Sequence, residues 1–187
     1  MALKATIHKA RIQLADMDRN VYRDHSATIA RHPSETDDRL LVRLLALALQ
    51  APEDPEAGPL ELGKDLWEPD EPSLFQKDLT GRIVHWIDIG QPDERRLLRT
   101  SSRVDRLTVY AYHATTAFWW QELAHRVTRL SNLTVWRIPS EQARALGELA
   151  QRTMELQMTV QDGVIWLSDD RRSVEVTPQR LRGELPR

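Results

Sequence analysis

The chain of 187 residues has no cysteine, which excludes disulfides, thiolate metal sites and cysteine nucleophiles. Glycine is scarce, seven residues with none clustered, so there is no glycine loop to cradle a phosphate. Its six histidines (His8, His25, His32, His85, His113 and His125) form no i, i+4 pair and no His-x-Glu motif, which removes the usual histidine-based zinc sites. No serine sits in a nucleophile elbow. The longest apolar run, residues 40–51, is interrupted by Arg43 and is too short to span a bilayer. The formal net charge is −2, so any nucleic-acid contact must use a local basic patch. With 41% hydrophobic and 29% charged residues, the composition is that of a globular domain able to bury one core. Lys4, Lys9 and Arg11 near the start leave no apolar signal core. A cytoplasmic monomer with no membrane association is expected.

What the chain does carry centres on residues 71–96, which read as a β-hairpin running into a helix. Strands are predicted at 74–79 and 82–90, rich in β-branched and aromatic residues, with Thr80-Gly81 as a two-residue turn. Counting from that turn pairs Leu79 with Arg82, Lys77 with Val84, Phe75 with Trp86 and Ser73 with Asp88. Opposed side chains lie roughly 5 Å apart at Cβ. Carboxylates at both 73 and 88 would therefore share one divalent ion, but position 73 is Ser, which leaves Asp88 as the acid of the pair. Gly90-Gln91-Pro92 leads into a predicted helix at 93–104, with Asp93 and Glu94 complementing its dipole. Arg95, Arg99 and Arg103 recur every four residues on it, with Arg96 and Arg106 nearby. Such a stripe either holds phosphates or is a solubilising face.

Before the hairpin, residues 2–14 alternate, with a phase slip near His8–Lys9 that suggests a bulge. Asp16 and Asp18 lack the glycine and glutamate of a calcium loop, so 16–20 reads as a turn before a strand at 21–30. A helix is predicted from Ser34, its N-cap, to about residue 50, with a core stripe of Leu40, Leu41, Leu44, Leu45 and Ala48. Glu35, Arg39 and Arg43 at i, i+4, i+8 read as a solvated ion-pair face. Residues 51–72 hold five prolines and eight acidic residues against one lysine and read as a surface loop. The alternative for this stretch is an acidic flap bringing Glu68, Asp70 and Glu71 to the hairpin.

After the hairpin come a strand at 107–112, a helix at 115–130, a strand at 133–138 and a helix at 140–151 capped by Ser140, which implies parallel crossovers. Trp119 and Trp120 are expected to take one core and one boundary position. Strands at 154–161 and 164–167 flank Asp162-Gly163, with Val160 opposite Ile165 and Met158 opposite Leu167. An edge strand at 173–177 and a flexible tail at 178–187 complete the chain. The expected fold is α/β: one compact domain over residues 1–177, a mixed β-sheet built on the central hairpin, and flanking helices.

Several strings in this order resemble the YaeQ family over almost the whole length. They include Leu-Ala-Asp-Met-Asp-Arg, Arg-His-Pro-Ser-Glu-Thr, Trp-Ile-Asp-Ile-Gly-Gln-Pro-Asp-Glu-Arg-Arg and Gln-Arg-Thr-Met-Glu-Leu-Gln. The resemblance implies a variant of the PD-(D/E)XK (restriction-endonuclease-like) fold. Nucleases of that fold hydrolyse phosphodiesters with Mg²⁺ held by two acids on adjacent strands and by the carbonyl after the second, while a lysine orients the attacking water. Carried over, Asp88 matches the second acid and Ile89 supplies the carbonyl. Ser73 stands where family members more often carry Asp or Glu. Gly90 stands at the lysine position, Gln91 follows as a catalytic candidate, and Arg95 or Arg96 is the candidate migrated cation. Lys77 lies ~13 Å from position 73 along the strand and does not reach the same water. Glu35, matching the acid of the first core helix, joins Asp88 as a metal and catalytic candidate, with Glu71 assisting. Arg95, Arg96, Arg99 and Ser73 would bind substrate. The implied cofactor is Mg²⁺ and the implied partner nucleic acid. The other function left open is a non-catalytic descendant that binds nucleic acid or a protein partner and regulates transcription.

Overall fold

Two kinds of burial pattern divide the strands. The strands Thr6–Asp16 and Thr153–Gln161 alternate buried with exposed residues, whereas Arg106–Ala111 in the middle of the chain is buried on both faces from Leu107 on. The structure, a computed structural model, describes residues 4–183. In chain order its elements are β1 (Thr6–Asp16), β2 (Val21–Arg31), α1 (Asp37–Gln50), β3 (Leu60–Leu62), β4 (Leu74–Lys77), β5 (Ile83–Ile89), α2 (Glu94–Ser101), β6 (Arg106–Ala111), α3 (Thr116–Leu123), β7 (Leu133–Arg137), α4 (Ser140–Gly147), β8 (Thr153–Gln161), β9 (Val164–Ser168), β10 (Ser173–Val176) and β11 (Gln179–Arg182). Short 3₁₀ turns occur at Pro55–Ala57, Asp65–Trp67 and Ala124–Arg126.

The chain forms an α/β structure with two mixed sheets, not the single sheet expected. One compact unit takes the chain up to Leu49 together with Pro139–Pro178; the other takes Gln50–Ile138 and the chain from Gln179. The first contains a five-stranded sheet in the order β10-β9-β8-β1-β2, with β1 and β8 parallel and the other neighbours antiparallel. Ala10, Ile12 and Leu14 of β1 lie beside Met154, Leu156 and Met158 of β8 and share one buried face. Burying each of the large side chains is worth about 1.5–3 kcal/mol.

The second unit contains a six-stranded sheet in the order β11-β7-β6-β5-β4-β3. Its parallel strands β5, β6 and β7 are joined through α2 and α3. Leu97 of α2 and Leu123 of α3 close a core with Leu107, Val109, Leu133 and Val135 from β6 and β7.

Local details depart from the sequence reading for identifiable reasons. β1 has no bulge; its register with β2 is unbroken from Thr6↔Arg31 to Asp16↔Val21. The apparent phase slip is a polar residue in an apolar position. His8 is buried and its Nδ1 bonds the Gln151 carbonyl at 2.9 Å, while Ile7 is 52% exposed. α1 begins at Asp37 instead of Ser34, because the Ser34 amide and hydroxyl both bond His32 Nδ1, at 3.0 and 2.7 Å. The Thr36 carbonyl accepts the first helical amide, that of Leu40. Every residue from Arg39 to Ala48 is buried, so α1 has no solvated ion-pair face.

The central hairpin turns through five residues. Asp78 accepts from the Thr80 and Arg82 amides and the Thr80 hydroxyl, which shifts the register so that Lys77 pairs with Ile83 instead of Val84. Leu79 consequently points into solvent, 98% exposed. Pro139, not Ser140, occupies the cap position of α4. Residues 179–182, expected in a flexible tail, form β11 against β7. Residues 184–187 of that tail lie outside the described part of the chain. No helix among the described residues is long and apolar enough to cross a membrane.

Candidate functional site

The site residues read from the hairpin lie in the second unit. Phe75↔Trp86 pairs as predicted, and Leu74↔Ile87 extends the register toward Ser73 and Asp88. Ser73, just ahead of β4, donates its amide to the Ile87 carbonyl at 3.0 Å and accepts the Ile89 amide on Oγ at 3.2 Å. Its hydroxyl donates to Asp65 Oδ1 at 2.7 Å. Asp65 comes from a 3₁₀ turn of the acidic loop, at φ 54°, and is buried along with Ser73.

Asp88, near the end of β5, is also buried, and both of its oxygens are engaged. Arg96 donates Nε to Oδ2 at 2.7 Å and Nη2 to Oδ1 at 2.9 Å, and Trp86 Nε1 adds a bond to Oδ1 at 2.9 Å. This is the bidentate fork-to-carboxylate geometry that makes Arg–Asp pairs strong and directional. The same guanidinium reaches the acidic loop, donating to the Glu71 carbonyl at 3.0 Å and to the Pro69 carbonyl. It also lies over the Trp86 ring, 5.6 Å from the centroid. The α2 N-cap fixes its base, since the Asp93 side chain accepts the Arg96 amide at 2.8 Å. Hydrogen bonding to Asp88 raises the Arg96 pKa above the ordinary guanidinium value despite its burial.

The remaining candidates have settings of their own. Gly90 has φ +123°, a backbone that a lysine would adopt only with strain, so the expected cation is excluded there by conformation. Gln91 turns to the start of α3, its Nε2 donating to Thr115 Oγ1 at 3.0 Å. Arg95 is exposed, and Arg99 pairs with Asp70 at 3.0 Å. Glu35 belongs to the first unit. There it is buried, with its oxygens 3.1 Å from Arg39 and 2.7 Å from Arg43. Its carbonyl accepts from Arg31 Nε and Nη2. The i, i+4, i+8 spacing thus encodes a buried pair of salt bridges. Among the described residues no group of three or more His, Asp or Glu is arranged to hold a metal ion. This donor set does not fit Mg²⁺, because Asp88 is neutralised by Arg96, the Ser73 hydroxyl is committed as a hydrogen-bond donor to Asp65, and Glu35 is held by two arginines.

A second polar arrangement lies deeper in the same sheet. His85 of β5 is buried between Thr108 Oγ1, 2.9 Å from Nε2, and Arg106 Nη2, 2.8 Å from Nδ1. Arg106 donates only, so Nδ1 accepts and the ring is neutral with its proton on Nε2. Burial, reinforced by the Arg106 charge, pushes the His85 pKa down to about 3.

The sequence model of the YaeQ protein family matches residues 1–178. The chain belongs to the YaeQ family. It is 42% identical to the uncharacterized protein YaeQ of Escherichia coli (strain K12) over 177 residues, 94% of this chain and 95% of the relative. The Salmonella typhi protein of the same description matches at 42% over the same shares. The crystal structure of the YaeQ protein from Xanthomonas axonopodis pv. citri superposes with a TM-score of 0.90 at 42% identity, covering 97% of this chain and 100% of that one. That of the Pseudomonas syringae YaeQ protein gives 0.87 at 36% identity, covering 96% and 97%.

Sequence reasoning overlooked two features of this YaeQ-family chain. Asp65 lies in an aperiodic loop, and nothing in its spacing ties it to Ser73. The exposed aromatic of α3 is Phe118, 67% accessible, whereas Trp119 and Trp120 are both half-buried against the core, so neither takes a fully buried position. The missing pattern was available for Phe118, because an aromatic placed opposite Thr116 and Leu123 on the helical wheel falls outside the apolar stripe.

Proposed function

We propose that this YaeQ-family protein is a non-hydrolytic binding protein on a PD-(D/E)XK-like scaffold, with nucleic acid as its ligand. The observation that carries the reading is the bidentate Arg96–Asp88 pair, which occupies the acid a hydrolytic metal centre would need. The scaffold assignment is supported by an antiparallel pair, β4–β5, with Asp88 near its end, followed by a helix and parallel strands. Nucleic acid is favoured by the solvent face of α2 and the turn after it, where Arg95, Arg99 and Arg103 are exposed. An arginine stripe of this kind neutralises phosphates without reading sequence. A protein partner is the second reading, favoured by Phe118 and Leu98, 67% and 42% exposed.

The deciding experiment is fluorescence anisotropy with single- and double-stranded DNA and RNA across a salt series, alongside a nicking assay in Mg²⁺ and Mn²⁺. Salt-dependent binding without cleavage is expected, with Arg95→Ala lowering the salt slope by about one. Metal-dependent cleavage that Asp88→Ala abolishes would restore the nuclease reading. No binding to any nucleic acid at low salt would favour the protein partner.

A further inference from the structure

The misfit between the expected metal and the residues present has a specific form. Four oxygens converge on the Arg96 guanidinium: both carboxylate oxygens of Asp88 and the carbonyls of Pro69 and Glu71. Asp70 and Asp65 add negative potential at the same group. Carboxylate and carbonyl oxygens converging on one positive charge are the donors that hard divalent cations take. One charged side chain fills that cradle with four of its five N–H bonds.

We propose that this cradle is a cation site with a resident cation, the Arg96 guanidinium, and that removing the guanidinium converts it into a site for a small oxygen-liganded divalent ion. Arg96 does for the site what a metal would do elsewhere. It neutralises Asp88, and it ties the acidic loop at residues 69–71 to β5 and to the first turn of α2. Because the cation is covalently part of the chain, the site needs no metal and does not exchange its charge with solvent. The proposal rests on the same ion pair as the functional reading, but it is tested by metal affinity and stability, so its failure is separable from any nucleic-acid result.

The test is calorimetric Mn²⁺ titration and thermal melting, at matched ionic strength, of wild type, Arg96→Ala and the double variant Arg96→Ala/Asp88→Asn. Wild type is expected to melt at the same temperature with and without millimolar Mn²⁺. Arg96→Ala is expected to melt lower, to regain part of the loss with Mn²⁺, and to gain at least ~10-fold in Mn²⁺ affinity, a gain abolished by Asp88→Asn. Asp88-dependent Mn²⁺ binding by wild type would overturn the proposal, as would Arg96→Ala showing neither affinity gain nor rescue. If Arg96→Ala cannot be recovered folded, Arg96→Lys decides. A lysine keeps the charge without the fork, so that variant must stay folded and metal-free; Mn²⁺ binding or failure to fold counts against a resident-cation role.

Discussion

At the scale of single residues, burying a titratable side chain makes stability depend on pH. His85 is neutral in the fold because water is excluded and Arg106 faces its ring. Thr108 Oγ1 is the other partner and does not titrate. The folded-state pKa lies below the unfolded value, so the unfolded chain takes up the proton first as pH falls. The stability this group provides is therefore complete above the ordinary imidazole pKa of 6.5 and is lost progressively as pH drops toward about 3. The expected slope is up to ~1.4 kcal/mol per pH unit inside that window. Urea unfolding at pH 7 and pH 5 measures it, with His85→Gln as the control that removes the titrating group. An unchanged difference between the two pH values in the variant would assign the slope to another residue.

At the scale of elements, α2 is the part that organises the site. Its amphipathic sequence buries Leu97 and Thr100 and leaves Arg95 and Arg99 in solvent. The Asp93 cap sets where the helix starts and hence where Arg96 projects. Asp93→Ala is expected to cost about 1 kcal/mol by chemical denaturation, the usual loss for an acidic N-cap. Amide hydrogen exchange should rise in the first turn of α2 in that variant. Faster exchange confined to other elements would mean that the cap does not hold this turn. Spacing made the arginine stripe legible in advance. It did not reveal that Arg96, one position off the stripe, is the residue that turns inward.

At the scale of the whole molecule, the chain alternates between its two units. After building the sheet that contains β5, β6 and β7, it completes the other sheet with β8, β9 and β10 and then returns with β11. That last strand pairs with β7, Leu181 packs on the core of the second unit, and Arg182 Nη2 bonds the Thr128 and Leu130 carbonyls at 3.1 and 2.7 Å. Ending the chain after Pro178 is therefore expected to lower unfolding free energy by about 2 kcal/mol or more. A melting temperature equal to that of the full chain would show that β11 contributes nothing.

Local chemistry decided much of this by itself. Alternation gave the buried face of β1 from Ala10 to Leu14, Asp162-Gly163 gave the Met158↔Leu167 and Val160↔Ile165 pairings, and Phe75 was matched correctly to Trp86. Short strings of residues were enough for the family. These features rest on interactions within a few residues, where period and turn type leave little freedom. Tertiary structure decided the rest. Whether β8 joins β1 or the central hairpin depends on pairing residues far apart in the chain, which no local period encodes. The same holds for the acids. Asp88 and Asp65 look alike as sequence, and only the folded chain determines that Asp88 meets a guanidinium and Asp65 a serine hydroxyl; for Glu35 the i, i+4, i+8 spacing announced the two arginines, and the fold decided that the pairs are buried. A carboxylate's chemistry is set by the charges and donors packed against it, and for Asp88 and Asp65 these lie eight residues on, brought round by turns that no helical or strand period announces.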